Sequence, residues 1–246
     1  MNSRLTLAHA KWMILELLRQ PAYLVSTLAF PALFYVIFAL PESKSVESAN
    51  YLMASFAGFA FFGVIFLQFG VGLAQERTKS WYRFLKTLPI PPFALMGARF
   101  ATAMLYAGLA ALVIFLIGSI FSLVSLSFEC WCHFLAVLTV GGLAFCFMGL
   151  ALGYWANEKT SLPIGNLIYL PLSFAGGLWK PPEILPENLK AVSAYLPTRY
   201  YGNLLWASVQ NKPLPVESLW GLTLYTFIFA VIAYLGYRKD SDRKLV

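Results

Sequence analysis

No aspartate precedes Asp240 in this chain of 246 residues; Asp242 is the only other one, and histidine occurs twice, as His9 and His133. Charged residues make up only 12% of the chain, against roughly 25% in soluble domains. The scarcity of acids leaves no pair for a di-aspartate intramembrane protease. Two histidines far apart give no H-E-x-x-H helix, and neither a G-x-S-x-G elbow nor a G-x-x-x-x-G-K-[ST] phosphate loop occurs. Three cysteines make no disulfide framework. No catalytic residue is assigned, and the chain carries no motif for a nucleotide or other cofactor.

What fills the sequence is apolar: 59% of residues are hydrophobic and the mean hydropathy is +0.69. Six runs lack Asp, Glu, Lys and Arg altogether: Ala22–Leu40, Asn50–Gln75, Phe100–Phe128, Cys130–Asn157, Thr160–Trp179 and Ser218–Tyr237. A bilayer core of about 30 Å takes roughly 20 helical residues, so each run is expected to span. Continuous rather than alternating hydrophobicity favours helices over barrel strands. The predicted fold class is an all-α polytopic membrane protein, one transmembrane domain over 1–246. Ionisable residues inside spans usually mark ion or proton coupling, and these runs have none. A stand-alone secondary transporter or membrane enzyme is disfavoured for that reason.

The net charge of +7 sorts by position. Of the 18 Lys and Arg, all but Lys44, Lys180, Lys190, Arg199 and Lys212 fall on the side of the two termini. The positive-inside rule then places both termini in the cytoplasm, in a cell membrane. The first run follows about twenty residues with no clear small-residue cleavage site after it, and is expected to be a retained span rather than a signal peptide. Residues 4–20 place Leu7, Ala10, Ile14 and Leu17 on one helical face, away from Arg4, Lys11 and Arg19, before Pro21 breaks the pattern. An amphipathic helix on the inner membrane surface is expected there.

The segment 180–217 is too polar for a further span and too apolar for a plain loop. Leu185, Leu189, Val192 and Leu196 keep helical spacing, interrupted by Pro181, Pro182, Pro186 and Pro197. Short re-entrant or interfacial helices on the outer side are expected between the fifth and sixth spans. Gly149 and Gly153 form a small-xxx-small pair suited to close helix approach, read as packing within the chain rather than as a dimer seam. Cys130, Trp131, Cys132 and His133 fit an interfacial belt better than a metal site, since two cysteines one residue apart are a weak ligand pattern. Whether Cys130 and Cys132 bind metal or pair is left open, and no metal ligand is assigned.

The stretch QERTKSWYRFLKTLPIPP at 75–92 combines charge with aromatics between two apolar runs. A helix over 76–88 ending before Pro89 would offer Trp81, Phe84, Leu85 and Leu88 for apolar contact, with Arg77, Lys79, Arg83 and Lys86 supplying charge. Lipid headgroups and a protein partner both suit such a face. Nucleic acid does not, because no binding fold accompanies the charges.

In order, these features resemble the membrane (permease) subunits of type 2 ABC exporters. The resemblance covers nearly the whole chain. Its most family-like stretches are Gln75-Glu76-Arg77 leading to Leu88-Pro89-Ile90, and 171–206 with Leu196, Pro197, Arg199 and Tyr200 in a Leu-Pro-x-x-Tyr-type motif. Lys79 and Ser80 stand where members often have a glycine. The resemblance implies a coupling helix, with Glu76, Arg77, Lys79, Ser80, Trp81, Arg83, Phe84, Leu85 and Lys86 contacting a cytoplasmic ABC ATPase subunit. Two such subunits would bind ATP and Mg and power two permease halves, as a homodimer or paired with a related permease in the lipid bilayer, such as a bacterial inner membrane. Phe66, Gln68, Asn166 and Ser173, from the second and fifth runs, are the candidates for lining the path. Absent intramembrane charge, an amphipathic or lipid-linked cargo is expected, and export is what the resemblance implies. A non-transporting membrane anchor and a stand-alone channel are the alternatives.

Overall fold

The computed structural model describes residues 21–87 and 92–241, with positions 11, 12, 14, 15 and 19 before them. Most of the expected surface helix over 4–20 lies outside the described residues. Within it Lys11, Trp12, Ile14 and Leu15 are helical, and the Ile14 carbonyl accepts a hydrogen bond from the Tyr106 hydroxyl at 3.1 Å.

Every described regular element is helical. Helix α1, Pro21–Phe34, opens on a proline, where the missing N–H costs nothing; it runs on through a π turn at Tyr35–Ala39 and a 3-10 turn at Leu40–Glu42. Helix α2, Val46–Glu76, is 31 residues long, about 46 Å at 1.5 Å per residue. Its start is fixed by a reciprocal capping box: the Ser45 hydroxyl accepts from the Ser48 amide at 3.2 Å, and the Ser48 hydroxyl accepts from the Ser45 amide at 3.0 Å. The later helices are α3, Ser80–Thr87, α4, Pro92–Phe121, α5, Phe128–Gly141, and α6, Leu143–Trp155. They are followed by α7, Glu158–Ala175, α8, Glu187–Ser193, α9, Pro197–Val209, and α10, Val216–Ser241.

Among the described residues, four apolar stretches are long enough to cross a membrane: Val46–Glu76, Leu95–Phe121, Phe128–Trp155 and Val216–Ser241. The first apolar run gives a shorter helix, Thr27–Glu42. The fifth gives α7, 18 residues that start with Glu158 and Lys159 and contain Pro163 and Pro171. The third run ends earlier than its composition suggests, at Phe121 instead of 128. Residues 122–127 turn the chain because Asn50 holds them: its Nδ2 donates to the Ser125 carbonyl at 2.8 Å and its Oδ1 accepts from the Ser125 amide at 2.9 Å. Asn50→Leu leaves both Ser125 groups without that partner. It is expected to cost about 1–3 kcal/mol, read as a lowered midpoint of thermal unfolding in detergent.

Helix α2 is the axis of the fold. It packs against α4, α6, α7 and α9, and 83% of its most apolar window is buried inside the protein, whereas the figure for α10 is 17%. An aromatic column runs along α2: Phe56, Phe59, Phe62, Phe66 and Phe69 are all buried. Phe59 stacks on Tyr169 of α7 at 4.9 Å, and Phe62 meets Phe145 of α6 at 4.1 Å. The Tyr169 hydroxyl donates to the Phe59 carbonyl at 3.1 Å, and Gly63 leaves the space its ring fills. Helices in lipid gain little from hydrophobicity itself, so such close packing and buried hydrogen bonds hold them together.

The Gly149–Gly153 pair faces α2 of the same chain, as expected. A Cβ on Gly149 would sit 2.7 Å from the Phe66 carbonyl oxygen, and one on Gly153 2.8 Å from the Leu73 Cβ. The segment 180–217 folds as a 3-10 turn at Pro182–Ile184 followed by α8 and α9. Helix α9 is no loose loop: Tyr201, Leu204, Leu205 and Trp206 are buried, and the Tyr201 hydroxyl donates to the Leu138 carbonyl at 3.0 Å.

Candidate coupling site

At the foot of α2 the chain turns through residues 77–79 and enters α3. Of the segment expected to be helical from 76 to 88, residues 80–87 are so; Glu76 closes α2, and position 88 lies outside the described residues. Local competition explains the turn. The Thr78 hydroxyl donates to the Gln75 carbonyl at 2.8 Å, and the Lys79 amide to the Glu76 carbonyl at 3.0 Å, a short-range pattern that replaces the helical ladder.

Helix α3 divides its side chains. Lys79, Ser80, Trp81 and Phe84 are exposed, Trp81 at 60% and Phe84 at 51%, with their rings 5.5 Å apart. The i and i+3 spacing sets both rings on one face. Tyr82 turns the other way and is half-buried. Burial pushes its phenol up to about 12, the Asp240 carboxylate acts in the same direction, and Arg99 and Arg77 oppose it; the group is neutral at physiological pH. The side chains of Arg83, Leu85 and Lys86 lie outside the described residues.

The residues just before α3 are committed inward. Glu76 pairs with Arg99 of α4, which is 5% exposed. Arg77 donates from Nε and Nη2 to Asp240 Oδ1 at 2.9 and 2.6 Å, and from Nη1 to the Gly153 and Tyr154 carbonyls at 2.7 and 3.0 Å. The same Thr78 hydroxyl lies 2.9 Å from Glu158 Oε2 of α7, so its one proton is shared between that carboxylate and the Gln75 carbonyl. Of the expected contact set, then, Lys79, Ser80, Trp81 and Phe84 face outward, while Glu76 and Arg77 already have partners within the chain. Arg99, Asp240 and Glu158 were not among the candidate site residues read from the sequence. The one signal for Asp240 is that it is the first aspartate in the chain, standing just beyond an uncharged run.

The four candidate path residues do not form one surface. Phe66 is fully buried on α2, and the buried Ser173 donates to the Tyr169 carbonyl at 2.7 Å. Gln68 is buried, and its Oε1 has no hydrogen-bond partner among the described residues. Asn166 lies on the exposed face of α7, beside the exposed Leu162 and Leu167.

The Leu-Pro-x-x-Tyr-type motif packs within the fold. Leu196 is the N-cap of α9 and Pro197 opens it. Arg199 lies over the Trp206 ring at 5.4 Å, and Tyr200 packs on Gly221 of α10. Trp206, missed from sequence, is held from α2, donating to the Ser55 hydroxyl at 2.6 Å and stacking on Tyr51 at 4.8 Å. Cys130 is buried and Cys132 exposed on α5, so the two do not share a face.

The profile of the family described as ABC-2 family transporter protein matches residues 34–236. A Bacillus subtilis (strain 168) protein named "Putative transport permease YvfS" is 27% identical over 232 residues, covering 92% of this chain and 94% of that protein.

Proposed function

Because this chain belongs to the ABC-2 family of transporter proteins, as a membrane permease component, we propose that it is one half of an ATP-driven exporter coupled through α3 to a separate ATPase. The observation that carries this reading is the pair of exposed aromatic rings, Trp81 and Phe84, on a short helix at the foot of the most buried span. Large aromatics beside basic residues are the composition of a protein-docking patch, with the rings as anchors and the charges steering approach. Lys79, Arg83 and Lys86 supply that charge.

In this reading α1 and α7 complete a set of six spans, both termini are cytoplasmic, and α8 and α9 occupy the outer leaflet. Two ATPase subunits bind ATP and Mg and close on hydrolysable nucleotide. Their closure moves α3, and the two permease halves rock about a path between them. The halves are two copies of this chain or this chain with a related permease. Asn166, on the exposed face of α7, is placed to line the path; Phe66, Gln68 and Ser173 support it from inside the bundle. Cargo is amphipathic or lipid-linked, because no intramembrane charge selects a small ion.

The test is copurification of the tagged chain, in detergent and in nanodiscs, with the candidate ABC ATPase encoded beside it. Wild type is expected to retain the ATPase, and Trp81→Ala/Arg83→Glu to lose it while remaining monodisperse. A wild-type protein that retains no ATPase in either medium overturns the exporter reading in favour of a membrane anchor or a stand-alone channel.

A further inference from the structure

Three successive residues at the turn between α2 and α3 are bonded to three different parts of the bundle. Glu76 holds Arg99 on α4, Thr78 holds Glu158 on α7, and Arg77 between them holds both α6 and α10. The Arg77 contacts are the most constrained. One planar guanidinium spans the Asp240 carboxylate and the last carbonyls of α6, Gly153 and Tyr154, and its charge also lies at the end of α6 where a helix favours a cation. The side chains of Arg77 and Asp240 are only 14% and 10% exposed, so water does not loosen the link as it would at a free surface. A lysine could meet the carboxylate but could not fork to both helices.

From this geometry we infer that Arg77 is the positioning residue that transmits displacement of α3 to the inner ends of α6 and α10. The inference rests on the reading of α3 as the ATPase-docking helix. Docking residues point outward from α3; Arg77 points inward from the turn behind it. A push on α3 is carried by the guanidinium into the C-terminal helix, while Glu76 and Thr78 carry the same push to α4 and α7. The C-terminal helix is suited to receive it, since α10 packs along α6 and against α9 and is otherwise largely uncovered by its own chain.

The experiment uses the permease–ATPase complex in nanodiscs with bimane on Ser241→Cys, at the exposed end of α10, in a Cys132→Ser background. The other two cysteines are buried. Wild type is expected to show a bimane emission shift on trapping with ATP and vanadate. Arg77→Met/Asp240→Asn removes the link without stranding a buried charge. It is expected to keep the ATPase bound and hydrolysing but to lose the shift, and Arg77→Lys to retain only part of it.

A full shift in the double variant overturns the inference, as does a wild-type complex with no shift. Loss of ATPase binding in the double variant also overturns it, making Arg77 a docking residue. If the double variant does not fold, Arg77→Lys decides alone: a full shift is the overturning result and a diminished one supports the link. Failure of the docking reading is seen separately and earlier, as wild type without bound ATPase.

Discussion

Gly149→Leu is expected to leave little folded, monodisperse protein, whereas Gly108→Leu is expected to behave like wild type. At position 149 the first added carbon would lie 2.7 Å from the Phe66 carbonyl oxygen and 2.8 Å from the Phe69 Cβ. Neither neighbour can swing aside: one is backbone and the other is fixed to it. The α2–α6 seam has to open, and the aromatic contacts along it, Phe62 with Phe145 among them, open with it. Overpacking a core costs about 1–3 kcal/mol for a few added methylenes, and here the seam is zipped by a second glycine one turn on. An added carbon at Gly108 meets nothing within 4 Å. Size-exclusion profiles and thermal midpoints of the two variants side by side provide the measurement. Equal behaviour would mean that the glycine seam does not hold the fold.

Asp240→Ala is expected to cost about 3–5 kcal/mol, the usual penalty for stranding one partner of a buried ion pair. Removing the carboxylate leaves the Arg77 guanidinium, largely shielded from water, with the carbonyls at the end of α6 and the Tyr154 ring but no counter-charge from Asp240. The same logic sets the sign of the comparison. Arg77→Met/Asp240→Asn removes both charges and avoids the desolvation penalty, so it is expected to be markedly more stable than the single variant. Thermal unfolding in detergent of wild type, single and double variants tests the pair. If Asp240→Ala melts with wild type, the pair contributes nothing to folding.

Much of this was legible from sequence, and the reasons are physical. A span must be free of charge over most of its length, so the runs named themselves, and α2, α5–α6 and α10 begin and end within four residues of the runs that predicted them. The glycine pair at 149 and 153 was legible because i, i+4 spacing puts both on one helical face. The exposed rings of α3 followed from the spacing of Trp81 and Phe84. Illegible were the contacts that depend on distant chain. Asn50 cuts the third run short from 75 residues away, and Asp240 meets Arg77 across 163. Glu76 and Arg77 read as surface charge because their partners were out of sight. The path residues fared differently again: in a chain this apolar, composition does not separate Ser173, packed inside, from Asn166 on the exposed face.

The unequal burial of α2 and α10 determines how the protein meets bilayers of different thickness. Helix α2 is sheathed by its own chain for nearly its full length, so hydrophobic mismatch has little lipid-facing surface on which to act there. The 26 residues of α10 are left largely uncovered by their own chain, and tilt is the inexpensive way for a long helix to fit a thinner membrane. Such a tilt pivots on the end that Arg77 holds. Membrane thickness thereby bears on the same joint from the lipid side, and the composition of the bilayer becomes an input to the set of the C-terminal helix.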